Sequence, residues 1–271
     1  MKIRIGLGLL LATVLTWSAR AADLPSVATN LPKVLIIGDS ISIGYTPVVQ
    51  QLLQGVADVS RPGGNCQYTG NGLKNIQRWL GTQQWAVIHF NFGIWDTHLL
   101  YDTNGLMVSQ ETGPQPMPGT HLRYTPDEYR DNLTKLVNIL EGTGAKLIWA
   151  STTPVTSRKG PRFNDILTNN VNAAAIMQAH NIAIDDLYAF VLPQVKAWQH
   201  PDGCHYNKEG SAQLGKQVAD AIQQALTQPK PNYPTPASGK QAGADDSEVS
   251  DSAKLHSAHR MVCCPIARNT N

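Results

Sequence analysis

Charged residues are scarce in this sequence, and neither sign is in clear excess. Only 15% of the 271 residues are charged, and 22 Lys and Arg against 20 Asp and Glu give a net charge of +2. That charge is too small for the strongly basic face that nucleic-acid binding requires, so we expect no nucleic-acid partner. The sequence also lacks an internal repeat, an H-E-x-x-H motif, a P-loop and a dinucleotide-binding fingerprint. Its hydrophobic content of 42% nevertheless excludes a wholly disordered chain.

Long apolar runs are scarce as well, and the most pronounced one lies at the start of the chain. Residues 5–17 are mostly apolar, follow Lys2 and Arg4, and precede Ala19-Arg20-Ala21, a small-x-small pattern typical of signal-peptidase sites. A run of about a dozen residues is too short to span a bilayer comfortably, although a membrane anchor is the alternative. We therefore predict a signal peptide at 1–21, cleaved near Ala21. The mature protein is expected to be secreted or periplasmic, without membrane association.

The last part of the chain differs in composition from the middle. Residues 229–271 are rich in Pro, Ser, Gly and Ala and show no apolar periodicity, so we predict a disordered C-terminal tail. Its His256-x-x-His259 and Cys263-Cys264 resemble scattered zinc ligands, but a zinc site needs a supporting fold, and we expect no metal there. Residues 22–228 remain as one predicted domain. Cleavage at 21 removes three basic residues and no acidic one, leaving 19 basic against 20 acidic residues.

Within this domain, short apolar runs rich in Val and Ile alternate with amphipathic segments. We predict strands at 33–37, 56–60, 86–92, 145–151 and 181–184, and helices at 126–141, 163–180 and 208–226. Thr125, Pro126 and Glu128 predict a capping box at the start of the helix 126–141. Such alternation gives a parallel sheet with helices on both faces, and ligands bind beyond the carboxyl ends of its strands. The fold class is therefore α/β, a three-layer α/β/α sandwich with a five-stranded parallel sheet.

A serine follows the first predicted strand, and a histidine precedes the last predicted helix. These are positions that suit nucleophilic catalysis. Ser40 lies directly after the first strand, on a turn opened by glycine, where backbone N–H groups can bind a developing oxyanion. The alternative is that Ser40 merely caps the next helix. Asp202 and His205 lie three residues apart before the last helix, so the carboxylate can hold one ring nitrogen while the other faces the serine.

These residues carry a resemblance to a known family. Gly38-Asp39-Ser40 after the first strand and the D-x-x-H of Asp202 and His205 resemble the first and last sequence blocks of the SGNH (GDSL) hydrolase superfamily. The resemblance covers residues 34–226. It implies a flavodoxin-like α/β/α sandwich and ester hydrolysis through a serine acyl-enzyme, with Ser40 as nucleophile, His205 as general base and Asp202 as its orienting carboxylate. The family implies no metal and no organic cofactor.

The two middle blocks of the family match less well, and they concern the oxyanion hole. Beside the N–H of Ser40, the family uses a glycine N–H after the second strand, for which Gly64 and Gln67 are the candidates here. The last donor is usually the asparagine of G-x-N-D after the third strand.

In this sequence the corresponding stretch is Gly93-Ile94-Trp95-Asp96, so a tryptophan replaces the expected asparagine. We expect Asn91 to donate instead, with Asn65 and the indole N–H of Trp95 as alternatives. An Asn91 that only bonds a neighbouring loop is the simpler interpretation of that residue.

The segment 96–124 is long and rich in Gly and Pro, and it leaves the sheet edge at which the site is expected. Long loops in compact domains are usually functional, so we predict a lid or substrate-binding loop. Trp95 and Tyr101 are its candidate substrate contacts, and His98, His121 and Tyr124 are further rings able to stack on a sugar. The alternative is that these rings form a small core of the loop itself.

Cys66 and Cys204 lie in two loops at the same predicted edge of the sheet. In an oxidising compartment they are a candidate disulfide, and two free thiols are the alternative.

The sequence thus predicts an exported serine esterase that removes short acyl groups, such as acetyl, from a small-molecule or polysaccharide ester. The reasons for a carbohydrate substrate are the predicted export and the polar, aromatic lid. A lysophospholipase or acyl-thioesterase of the same superfamily is the alternative enzyme. A carbohydrate-binding module with an impaired site is the alternative outside enzymes. The oligomeric state is not predicted.

Overall fold

The computed structural model of the protein describes residues 30–108, 117–156, 163–229 and Tyr233. The predicted signal peptide and the His and Cys residues of the predicted tail lie outside the described residues. Tyr233 belongs to the predicted tail, yet its hydroxyl accepts a hydrogen bond from the Leu147 N–H at 2.8 Å. No helix in the described ranges is both long and apolar enough to cross a membrane.

Five parallel strands form the central sheet, as predicted. In chain order, the strands of the described residues are β1 Lys33–Ile37, β2 Asp58–Ser60, β3 Trp85–Phe90, β4 Leu99–Tyr101, β5 Thr120–Leu122, β6 Lys146–Ala150 and β7 Ala183–Asp185. The sheet has the order β2-β1-β3-β6-β7, and Leu35 of β1 pairs with Ser60 on one side and Ile88 on the other. β1 has the predicted ends, and the ends of the other four strands differ from the prediction by at most two residues, because strand ends carry no apolar pattern.

Helices cover both faces of this sheet. They are α1 Ser40–Leu52, α2 Thr69–Leu80, α3 Pro126–Glu141, α4 Phe163–Ala179, α5 Leu187–Val191, α6 Val195–Trp198 and α7 Lys208–Thr227. One core cluster contains Val34 and Ile36 of β1 together with buried residues of α1 and α7. The other contains Leu35 and Ile37 together with residues of α2, α3 and α4. Alternate residues of β1 thus enter opposite layers, and the predicted three-layer sandwich is confirmed.

The predicted capping box at α3 is present. Thr125 Oγ1 accepts from the Glu128 N–H at 3.3 Å, and the Glu128 carboxylate accepts from the Thr125 N–H at 2.8 Å. The hydrogen bonds from Thr125 also lower the pKa of Glu128. Two donors at the start of α3 are therefore satisfied by side chains.

The segment predicted to be a lid contains an antiparallel hairpin that the sequence analysis missed. Strands β4 and β5 pair with Leu99 opposite Leu122 and Tyr101 opposite Thr120, while residues 109–116 lie outside the described part of the chain. Strands of three residues are too short to show an alternating pattern, which explains why the periodicity gave no signal.

Candidate active site

Ser40 is the first residue of α1 and follows β1 after Gly38 and Asp39. The buried Asp39 caps the helix, because its Oδ1 accepts a hydrogen bond from the Ile41 N–H at 2.9 Å. Burial raises the pKa of Asp39, and the bond from Ile41 opposes that shift. The capping role that was the alternative for Ser40 is thus filled by its neighbour.

The structure brings Ser40, His205 and Asp202 into one hydrogen-bonded chain. His205 Nε2 lies 2.8 Å from Ser40 Oγ, and His205 Nδ1 lies 2.8 Å from Asp202 Oδ2. The side chains of His205 and Asp202 keep 21% and 17% of their surface exposed, so a substrate can reach them. A carboxylate at Nδ1 holds the proton on that nitrogen and leaves Nε2 to accept the serine proton.

Asp202 is held in the ionised form by its surroundings. Burial alone would raise its pKa, but hydrogen bonds from the Cys204 N–H and from His205 outweigh burial, and the pKa of Asp202 is lowered. Its Oδ1 accepts from the N–H groups of both Cys204 and His205 at 2.9 Å. Gly203 makes this turn with a φ of 65°, a left-handed conformation that favours glycine.

The loop after β2 is fastened to the nucleophile turn by two donors to one carbonyl. The Gly38 carbonyl accepts from the Cys66 N–H at 3.2 Å and from Arg61 Nη2 at 3.3 Å. Arg61 Nη1 also donates to the carbonyls of Pro62 and Gly64. Arg61 therefore sets the distance between this loop and Ser40.

Both candidates for the backbone donor lie in this loop. Gly64 has a φ of 87° and Gln67 a φ of 61°, so Gln67 adopts a conformation that only glycine reaches without strain. That conformation fits the position at which the family pattern has its glycine. In the structure, however, the Gln67 N–H donates to Asn65 Oδ1 at 2.9 Å.

The predicted oxyanion donor Asn91 is engaged elsewhere. Its Nδ2 donates to the Ala150 carbonyl at 2.8 Å and to Thr152 Oγ1 at 3.2 Å, so both N–H bonds are used at the end of β6. This contradicts the expected oxyanion role and agrees with the simpler interpretation of a strand-end residue. The reason is the neighbouring strand, whose terminal carbonyl needs a donor.

Trp95, a predicted substrate contact, is also placed differently from the prediction. Only 8% of its surface is exposed, its ring lies edge-on to His98 at 5.4 Å, and its carbonyl accepts from Arg123 Nε. Its indole N–H is fully buried and has no partner in the described part of the chain. A buried ring cannot stack on a sugar, whereas Tyr101 is 39% exposed and stays a candidate contact.

The remaining predicted rings of the lid have mixed surroundings. His98 is buried, while the exposed His121 lies 2.6 Å from Asp102 across the hairpin. The half-buried Tyr124 lies 6.1 Å from Tyr68. The interpretation as a local core holds for His98 but not for His121.

The candidate disulfide is not formed. Cys66 and Cys204 are both buried and are not bonded to each other. Cys66 packs in the core cluster under α2, α3 and α4, whereas Cys204 packs in the cluster under α1 and α7. The two loops reach the same edge, but their cysteine side chains enter opposite layers. Burial raises the pKa of the Cys66 thiol to about 11.

A buried carboxylate that the sequence analysis did not single out lies next to the site. Asp96 Oδ1 accepts from the N–H and from the hydroxyl of Thr69, the first residue of α2, while its Oδ2 is buried without a partner among the described residues. Burial raises the pKa of Asp96 to about 7, although the hydrogen bonds from Thr69 lower it. Its position in G-x-N-D was the available signal. Asp96 thereby joins the loop after β3 to the start of α2.

Asp96 generates a prediction about stability and pH. The pKa of Asp96 is about 7 in the folded protein against 3.8 for a free aspartate. Its contribution to the free energy of unfolding is therefore complete below pH 4 and is lost as the pH rises towards 7. Asp96→Asn keeps an oxygen for Thr69 but cannot titrate. We expect its free energy of unfolding to lack a pH-dependent change on the order of 2–4 kcal/mol that the wild type shows. Urea unfolding of both proteins at pH 4 to 8 measures the difference. The exposed Asp58→Asn is the matched control, and a pH-independent difference for Asp96→Asn would contradict the prediction.

Comparisons with known proteins bear on the fold. No family model matches the sequence, and neither does any curated protein. The lipase/acylhydrolase from Enterococcus faecalis aligns with a TM-score of 0.56 at 20% identity, over 72% of this chain and 96% of that chain. The acetyl xylan esterase AlAXEase aligns with a TM-score of 0.55 at 15% identity, over 70% of this chain and 99% of that chain. A GDSL-like lipase from Bacteroides thetaiotaomicron VPI-5482 aligns with a TM-score of 0.53 at 17% identity, over 71% of this chain and 88% of that chain.

This chain has a five-stranded parallel sheet with G-D-S after β1 and D-x-x-H before α7. The solved structures that align with it are esterases and acylhydrolases, one of them a GDSL-like lipase. The chain therefore has the fold of the SGNH (GDSL) hydrolase superfamily, which its sequence predicted.

Proposed function

We propose that this protein is a serine esterase that is exported and acts on short acyl esters of carbohydrates. The observation that carries the proposal is the chain of 2.8 Å contacts from Ser40 Oγ through His205 to Asp202. A serine hydroxyl in contact with an imidazole that a carboxylate orients is the arrangement of nucleophilic acyl transfer.

The proposed mechanism has two halves. Ser40 Oγ attacks the ester carbonyl while His205 Nε2 takes its proton, and the resulting oxyanion accepts hydrogen bonds from the N–H of Ser40 at the positive end of α1. The tetrahedral intermediate then collapses, and His205 delivers the proton to the leaving alcohol. Water attacks the acyl-enzyme with His205 as base again, releasing the acid and restoring Ser40. Asp202 stays ionised throughout because its pKa is lowered.

The substrate part of the proposal rests on a solved structure of the same fold and on an aromatic ring near the site. One structure of the same fold is an acetyl xylan esterase. The half-buried ring of Tyr124 lies 6.1 Å from the ring of Tyr68, one face of which is covered by Arg123 at 4.2 Å, and an accessible tyrosine ring suits a sugar. An acyl-lipid substrate is the second candidate, because another structure of this fold is a lipase/acylhydrolase.

The catalytic part predicts the behaviour of the wild type and of two variants. Purified protein should hydrolyse p-nitrophenyl acetate, Ser40→Ala should abolish turnover, and Asp202→Asn should lower kcat by about 10³–10⁴-fold because His205 loses the correct tautomer. Release of p-nitrophenol measures all three. Ser211→Ala, on α7, is the control that should keep full activity. A folded wild type without turnover would reject the esterase and favour the carbohydrate-binding module.

The substrate part predicts a preference for short acyl chains. Across p-nitrophenyl esters from acetate to palmitate, we expect kcat/KM to be highest for acetate or butyrate. Acetylated xylan and lysophosphatidylcholine then compete directly as natural-type substrates, with released acid as the readout. A preference for long chains or for the lysolipid would replace the carbohydrate proposal by the acyl-lipid one.

Export is proposed from the composition of residues 1–21 alone. When the full chain is expressed in a bacterium, we expect activity outside the cytoplasm and a mature protein beginning at Ala22. Intact-mass measurement of the recovered protein tests this, and a deletion of residues 1–21 is the control that should stay in the cytoplasm. An uncleaved protein in the membrane fraction would support the membrane anchor instead.

A further inference from the structure

We infer that the side-chain amide of Asn65 is the oxyanion donor that the family takes from its G-x-N-D asparagine. This inference rests on the proposed esterase function and names one more catalytic residue for it. The two other candidate donors are engaged or buried. Asn91 has both N–H bonds engaged with Ala150 and Thr152, and the indole N–H of Trp95 is fully buried. A substrate oxygen can reach neither without a rearrangement of the fold.

Asn65 lies in the part of the β2 loop that is fastened to the nucleophile turn. On one side of it, Arg61 bridges the carbonyls of Gly64 and Gly38, and on the other side the Cys66 N–H donates to the same Gly38 carbonyl. Gly38 stands two residues before Ser40. Residue 65 is therefore held on both sides against the turn that presents the nucleophile.

The orientation of the Asn65 amide leaves its donor available. Its Oδ1 accepts from the Gln67 N–H at 2.9 Å, which fixes the carboxamide in a local turn. The Nδ2 group, on the opposite side of the carboxamide, has no hydrogen-bond partner in the described ranges, and the side chain is only half-buried. An oriented, accessible N–H in a loop that is bonded to the turn of Ser40 suits an oxyanion hole.

The same hydrogen bond bears on Gln67, which stands where the family pattern has a glycine. The backbone N–H that the family uses as a donor is occupied by Asn65 Oδ1 in this chain. The amide therefore takes over the donor role from the backbone group that it binds. The N–H of Ser40 and Asn65 Nδ2 then supply the two hydrogen bonds to the oxyanion.

The test is a set of substitutions at residue 65. Asn65→Asp keeps an oxygen for the Gln67 N–H but loses the donor, so we expect kcat for p-nitrophenyl acetate to fall by about 10²–10³-fold with KM within about threefold. Asn65→Ala also loses the donor but releases the Gln67 N–H, which can then serve, so its loss should be smaller. Because aspartate also adds a negative charge to the loop, Asn65→Ser is measured beside it, since its hydroxyl keeps an acceptor for the Gln67 N–H without a charge. A merely structural role predicts that Asn65→Ser keeps kcat within about threefold, whereas loss of the amide donor lowers it. Melting temperatures of the variants test whether they are folded.

Two controls separate this inference from the proposed function. Asn91→Ala should lower stability through the lost bonds to β6 while kcat of the folded protein stays within about threefold. Ser40→Ala measured in parallel shows whether turnover depends on the nucleophile. Turnover that depends on Ser40 but survives Asn65→Asp overturns the Asn65 assignment alone, as does a greater kcat loss in Asn91→Ala. A wild type without turnover that depends on Ser40 overturns both the esterase and the assignment.

Discussion

Helices α1 and α7 pack closely because α7 has a glycine where the two meet. A Cβ on Gly215 would lie 2.6 Å from the Cβ of Val48 and 3.1 Å from the Tyr45 carbonyl, so no larger residue fits without moving a helix. Ser40 is the first residue of α1, and His205 lies just before α7. The contact of the two helices thus fixes the position of Ser40 relative to His205, and the 2.8 Å bond between them depends on packing about two helical turns away.

The remainder of the site is held by polar contacts instead. Arg61 and the Cys66 N–H attach the β2 loop to Gly38, and Asp96 attaches the loop after β3 to the start of α2 through Thr69. Hydrogen bonds of this kind are directional, so they set the orientation of N–H groups that packing alone would leave variable. The site therefore combines a catalytic pair set by helix packing with an oxyanion loop set by buried polar groups. Because burial raises the pKa of Asp96 to about 7, this second part of the site is sensitive to pH.

The sequence predicts properties that a local pattern or the topology of a parallel sheet decides, but not side-chain directions that depend on a neighbouring element. The strand at 33–37 was predictable because both faces are buried, which leaves a continuous apolar run. The closeness of Ser40 and His205 was predictable because strand ends meet at one edge of a parallel sheet. Whether the amide of Asn91 faces the site depends on the end of β6, about 60 residues later in the chain. The layer that each cysteine enters likewise depends on tertiary packing, which spacing does not encode.

The separation of Ser40 and His205 along the chain has a consequence for when the site comes into existence. These residues are 165 positions apart, one at the beginning of the first helix of the domain and the other just before its last. During synthesis the nucleophile emerges early, but the base can reach it only after α7 has been made and has docked on α1. A chain interrupted before residue 205 lacks the imidazole that contacts Ser40. The proposed esterase activity therefore requires a nearly complete domain.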